Sequence, residues 1–141
     1  MLRAALDAAG IRNRVIAVSA CFSGGWIEPL ATDSTLIMTA ARADRVSFGC
    51  SEEADFTYFG DALFAEALNQ TDDLKQAFEL ARASVAEREH REGFEASEPQ
   101  LWAPPAVLEH WQHLRQQQAE EALRNAAQAK VREQAKTPGT H

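Results

Sequence analysis

Two apolar stretches constrain the fold of these 141 residues more than any other feature. Val15-Ile16-Ala17-Val18 and Thr35-Leu36-Ile37-Met38-Thr39-Ala40-Ala41 are unbroken runs rather than alternating ones. Alternation would mark a strand with one wet face. An unbroken run of β-branched residues marks a strand covered on both faces, as in the parallel sheet of an α/β domain. The connection between the runs contains Gly24, Gly25 and Pro29 and is about as short as a crossover can be.

Helical spacing surrounds these runs. Leu2, Ala5, Leu6 and Ala9 repeat on one face, Gly10 stands where a helix stops, and Ile11 is the apolar residue such a stop commonly uses. A helix packed in this way ahead of a strand implies an earlier strand before it. After a loop over residues 46–55, Phe56, Phe59, Leu63, Phe64, Ala67 and Leu68 trace an amphipathic helix with Asp55 as its expected N-cap. Thr71 and Asp72 are expected to cap a second helix, lined by Leu74, Ala77, Phe78, Ala81 and Val85, which runs through the charged stretch 87–92 to Gly93. Pro99-Gln100-Leu101-Trp102 reads as a short strand closed by Pro104-Pro105.

The remainder differs in kind. Val107, Trp111 and Leu114 make an apolar stripe, followed by an Ala/Glu/Gln/Lys/Arg sequence with a thin apolar face. Residues 1–103 carry 9 basic and 17 acidic side chains, whereas 104–141 carry 5 and 4. The spacing predicts that 104–115 packs on the domain, that 116–136 projects or seeks a partner helix, and that the last five residues fray. The net charge of −7 and the pI near 5.1 argue against general nucleic-acid binding. No stretch reaches the roughly 20 apolar residues of a membrane span. Cys21 and Cys50 are too few for a disulfide framework; they suit a reducing compartment without demanding one, so the compartment stays open.

Chemistry concentrates at Val15-Ile16-Ala17-Val18-Ser19-Ala20-Cys21-Phe22-Ser23-Gly24-Gly25, a thiol at the carboxyl end of a buried strand followed by a glycine turn. Ligands of open α/β sheets bind at that edge, and glycines there expose N–H groups to a developing oxyanion. Two readings of Cys21 follow from the pattern, a nucleophile or a small buried core residue. Asp61 is the notable acid among eight in residues 44–73; it either lines a polar pocket or belongs to a solvated helix start. His110 and His113 are three apart on the tail helix without a third metal ligand, and none of the four histidines follows a strand, so no base is placed beside Cys21.

Four segments in order, Val18-Ser19-Ala20-Cys21-Phe22-Ser23-Gly24-Gly25, Thr39-Ala40-Ala41-Arg42-Ala43-Asp44-Arg45, Ser47-Phe48-Gly49-Cys50 and Thr57-Tyr58-Phe59-Gly60-Asp61, resemble successive motifs of legumain-like cysteine peptidases, the bacterial members above all. The resemblance implies an α/β fold of the caspase-like type, a three-layer sandwich around a mostly parallel sheet whose N-terminal strands would lie before Met1. Residues 1–108 would be the C-terminal part of the peptidase domain, and 109–141 an extended C-terminal helix with a frayed tail. It implies that Cys21 attacks a peptide carbonyl to form a thioester, that the Cys21 N–H is one oxyanion donor, that Ser47 lines the substrate channel, and that Asp61 belongs to the primary specificity pocket. Ser19 stands where these relatives carry a second pocket carboxylate, a glutamate. Their His-Gly strand and pocket arginine would also precede Met1, so this chain alone is expected to be inactive. The implied partner is a polypeptide substrate, with no cofactor and no metal. A transamidase of the same family, which resolves the thioester with an amine, is an alternative. Another is a non-catalytic α/β interaction module whose C-terminal helix recruits a partner or a second copy.

Overall fold

The computed structural model describes residues 1–49 and 56–137. The chain forms two compact units, Met1–Leu108 and Glu109–His141. In the first, helix α1 (Leu2–Ala8) ends as its residues require: Gly10 takes φ 74°, its N–H donates to the Asp7 carbonyl, and the Ile11 N–H reaches back to Leu6. This double bond is the Schellman stop, which glycine permits because it lacks a Cβ. Arg14, the first residue of β1 (Arg14–Val18), fixes the turn by donating through Nε to the Ile11 carbonyl at 2.7 Å and by pairing with Asp7.

Strand β1 lies parallel to β2 (Thr35–Thr39), in a register from Arg14 opposite Thr35 to Val18 opposite Thr39. Strand β3 (Gln100–Trp102) joins the far side of β2 antiparallel, with Met38 opposite Leu101. The sheet thus has one parallel and one antiparallel pairing in the order β1-β2-β3. All five residues of β2 are buried, as an unbroken apolar run predicts. Strand β1 departs from that prediction: Val15 is 45% exposed and Ala17 is exposed as well. It is an edge strand among the described residues, and every residue of α1 beside it is exposed or half-buried.

The crossover from β1 to β2 passes through a 3₁₀ turn (Ser23–Trp26) and the single turn α2 (Ile27–Leu30). Beyond residues 50–55, α3 (Tyr58–Gly60), a π-helical segment (Asp61–Ala67) and α4 (Leu68–Gln70) form one continuous helical run. The expected cap Asp55 lies outside the described residues; Thr57 caps this run, its hydroxyl accepting from the Gly60 N–H at 3.0 Å. Helix α5 (Leu74–Glu92) packs on it, with Phe59 edge-on to Phe78 at 6.2 Å. Its cap is Asp73, one residue past the expected pair, accepting from the Gln76 N–H at 2.9 Å, while Thr71 bonds the Asp73 N–H and the Gln76 side chain. The helix closes at Gly93 (φ 73°), where the sequence places its end.

Helix α6 (Pro105–Lys136) begins in the first unit, where Val107 is buried, and forms the body of the second. In the second unit Leu123 and Val131 are 72% and 65% exposed. No helix among the described residues is long and apolar enough to cross a membrane.

Gly24 leaves no room for a side chain. A Cβ added there would meet the Ala43 nitrogen at 2.5 Å and the Ala41 oxygen at 2.9 Å, both backbone atoms that cannot swing aside. Gly24→Ala is expected to lower unfolding free energy by about 1–3 kcal/mol, read as a shift of the urea midpoint. An unchanged midpoint would show that residues 41–43 do not hold the turn this closely.

Candidate active site

The turn after β1 is bent by three local constraints. Phe22 adopts φ 57°, a left-handed conformation that a bulky residue holds only when its surroundings enforce it. Its N–H donates to the Arg45 carbonyl at 2.8 Å, and its own carbonyl accepts from Gly25. Ser23, fully buried, accepts the Ala41 N–H on its hydroxyl at 3.2 Å. The chain leaving β2 therefore braces the turn leaving β1, and the residue at the apex is Cys21.

Cys21 is exposed, so the structure excludes a core role for it. Its sulfur faces Ser47, which is 8% exposed: the Ser47 N–H donates to Sγ at 3.3 Å, the Ser47 hydroxyl lies 3.7 Å away, and the thiol can donate to the Ser47 carbonyl at 3.5 Å. An N–H and a hydroxyl directed at sulfur complement the charge of a thiolate, the nucleophilic form of cysteine. Among the described residues no histidine hydrogen-bonds this sulfur, and the Cys21 N–H donates to no acceptor. The second cysteine, Cys50, lies outside the described residues.

Ser19, two residues earlier, hydrogen-bonds the Thr57 hydroxyl, so the end of β1 meets the start of the α3 run. Gly60 sits in the same place; a Cβ there would come within 3.5 Å of the Ser19 hydroxyl. Asp61 follows, but its carboxylate is already engaged. Arg88 of α5 donates to Asp61 Oδ2 at 2.9 Å through one nitrogen and to Glu66 through the other, and its guanidinium lies 5.8 Å from the Tyr58 ring centre. Asp61 and Glu66 are five residues apart, a spacing that an α-helix does not stack but the wider π-helical turn does. Neither pocket reading of Asp61 nor the solvated-start reading anticipates this bridge. The structure thus pairs Cys21 with Ser47 and Ser19 with the Thr57–Asp61 corner, and the Tyr58 N–H, donating to the Phe48 carbonyl at 3.0 Å, ties that corner to the segment carrying Ser47.

A groove of about 520 Å³ lies elsewhere, between α5 and residues 96–100, and Cys21 does not line it. Among the described residues no cluster of three His, Cys, Asp or Glu side chains could hold a metal ion.

The model of the peptidase C13 family matches residues 1–110, most of the chain and the whole of the site just described. The chain belongs to the peptidase C13 family. This is the legumain family of cysteine peptidases, so the resemblance carried by the four sequence motifs holds at family level. Comparison with curated proteins finds no match. Within this C13 chain, the segment carrying Ser47 is itself secured by charge. The Arg42 guanidinium donates to both Asp44 oxygens, at 2.5 and 2.8 Å, and to Glu98 at 2.6 Å.

The Arg42 hydrogen bond holds the Asp44 carboxyl at about 2, below its ordinary 3.8, and the same pairing raises Arg42. A carboxyl depressed by folding stabilises the native state above its ordinary value and loses that contribution as pH falls through the folded one. The Arg42–Asp44 pairing is therefore expected to persist well below the ordinary carboxylate value and to be lost around pH 2, while its contribution to stability fades from about pH 4 downward. Carbon-13 NMR of the Asp44 carboxyl checks this; a midpoint at the ordinary value would contradict the pairing in solution.

Proposed function

We propose that this C13 chain carries the nucleophile of a cysteine endopeptidase, with Cys21 forming the thioester. The observation that carries the reading is an exposed thiol at the carboxyl end of β1 with the Ser47 N–H 3.3 Å from its sulfur. In the reaction, Cys21 Sγ bonds to the scissile carbonyl carbon and the carbonyl electrons move to oxygen. The Cys21 N–H, turned toward no acceptor of its own among the described residues, stabilises that oxyanion. Collapse breaks the C–N bond and releases the amine with a proton; water then attacks the thioester, freeing the acid and restoring the thiol. The imidazole that takes the thiol proton lies, in this reading, on polypeptide outside these 141 residues. The sheet of β1–β3 is part of a caspase-like three-layer sandwich, and residues 1–108 are the C-terminal part of the peptidase domain.

Substrate selection is assigned to Ser19, Ser47 and Asp61. Ser19 and Asp61 form the floor of the primary pocket and Ser47 lines the channel toward it. Because Arg88 already neutralises part of the Asp61–Glu66 charge, Asp61 does not act here as a bare acid awaiting a basic side chain. Its role is to orient, together with Arg88, the polar end of the residue before the scissile bond.

A peptidyl chloromethyl ketone should alkylate Cys21 stoichiometrically and faster than Cys50, read by peptide mass mapping. Equal labelling, or preference for Cys50, would contradict the nucleophile assignment. With asparaginyl and arginyl versions of the reagent in competition, Asp61→Ala should change the labelling ratio at Cys21 by about tenfold, the scale of one lost pocket contact. An unaltered ratio removes Asp61 from the pocket.

A further inference from the structure

Glu89 is the most deeply buried charged side chain among the described residues, only 2% exposed. It continues the buried stripe of α5, after Leu74, Phe78, Ala81 and Val85, at a position where an apolar residue would complete the packing. Burying a carboxylate without a cation is costly unless donors satisfy it. Its donors both come from Ser97: the backbone N–H at 2.7 Å and the hydroxyl. Ser97 is itself 1% exposed. A buried anion held by one residue of a following loop is a tether, and what the tether holds leads to Cys21.

The tethered segment, residues 94–98, lies along residues 42–48 and grips them repeatedly. The Ser97 carbonyl accepts the Arg42 N–H at 2.9 Å, Glu98 pairs with Arg42 at 2.6 Å, and Glu95 pairs with Arg45. Phe94 stacks on Phe48 with ring centres 4.4 Å apart. Residues 42–48 in turn hold the turn after β1, through the Arg45 carbonyl on the Phe22 N–H and the Ser47 N–H on the Cys21 sulfur. The exposed ion pairs among these contacts contribute little individually. The Glu89–Ser97 bonds are buried, charge-assisted, and fixed to the 19-residue helix α5.

We propose that Glu89 is a positioning residue for the Cys21 thiol: through Ser97 it sets the 94–98 segment, and through that segment the Ser47 N–H that faces the sulfur. The inference rests on the nucleophile reading of Cys21, and its test is independent of peptidase activity because iodoacetamide alkylates any thiol. Three outcomes follow for the intact chain, with Cys50 in the same sample as the internal reference. Glu89→Gln, which keeps the shape but removes the charge, should slow Cys21 alkylation about three- to tenfold at neutral pH, the scale of a weakened hydrogen bond to a charged group. Ser97→Ala should slow it in the same direction, and Ser97→Thr, which keeps the hydroxyl, should restore the wild-type rate within about twofold. The Ser47 amide resonance, which alkylation of Cys21 should displace in the wild type, should move in Glu89→Gln and Ser97→Ala without any alkylation.

A role confined to stability would lower the melting temperature and leave both the Cys21 rate and the Ser47 resonance where they are; that result overturns the proposal. So does an equal slowing of Cys21 by Val85→Ala, which loosens α5 without touching the tether. If Glu89→Gln fails to fold, the Ser97→Ala and Ser97→Thr pair decides alone. Loss of peptidyl labelling with normal iodoacetamide rates in the wild type would instead fault the nucleophile reading.

Discussion

The close approach of residues 41–48 to the turn after β1 is the constraint on which the site depends. Backbone lies within 3 Å of where a Gly24 Cβ would stand, the Ala41 N–H donates to buried Ser23, and the Arg45 carbonyl takes the Phe22 N–H. These contacts enforce the left-handed Phe22. They also place the Ser47 N–H on the Cys21 sulfur without spending flexible side chains on the task. Backbone donors fixed by neighbouring strands need no reordering when charge develops, which is why such donors suit a thiolate and an oxyanion. Parallel pairing of β1 with β2 brings the two carboxyl ends side by side, so the contact between their following loops is a consequence of the sheet.

Besides the Arg45–Glu95 pair, two arginines near this contact each bridge two carboxylates. Arg42 ties residues 42–44 to Glu98, and Arg88 ties the start of the π-helical segment to α5 through Asp61 and Glu66. Each arginine spans two carboxylates, a use that its planar fork of donors favours over lysine. The acidic excess of residues 1–103 is thus partly consumed in internal bridges rather than displayed uniformly to solvent.

Much of the element pattern was legible in the residues because it rests on local chemistry. The β2 run is buried throughout, Gly10 and Gly93 end their helices in the left-handed conformation, and Leu74, Phe78, Ala81 and Val85 form the inner face of α5. Asp73 rather than Thr71 or Asp72 caps α5; neighbouring residues with equivalent side chains leave such choices to tertiary packing. The wetness of β1 depends on what lies beside it, which its own five residues do not encode. Family membership was legible for a different reason: four motifs in order resemble the family, and the family match spans residues 1–110 rather than one short segment.

Glu89 and Arg88 were missed because both sit in the charged stretch 87–92, which composition alone assigns to solvent. For Glu89 a signal existed, since 89 is the next position in the stripe 78, 81, 85. For Arg88 there was none: its partners Asp61 and Glu66 share a face only because the intervening turn is π-helical. Antiparallel β3 was equally beyond the pattern, because strand direction is set by the path of the preceding loop.

The central claim is that Cys21 accepts an acyl group, and trapping that species tests it most directly. The chain, mixed with the p-nitrophenyl ester of a blocked amino acid and quenched in acid, should carry the acyl mass on the peptide containing Cys21 and nowhere else. Acylation of Cys50 at a comparable rate, or an adduct that persists in Cys21→Ala, would contradict the account.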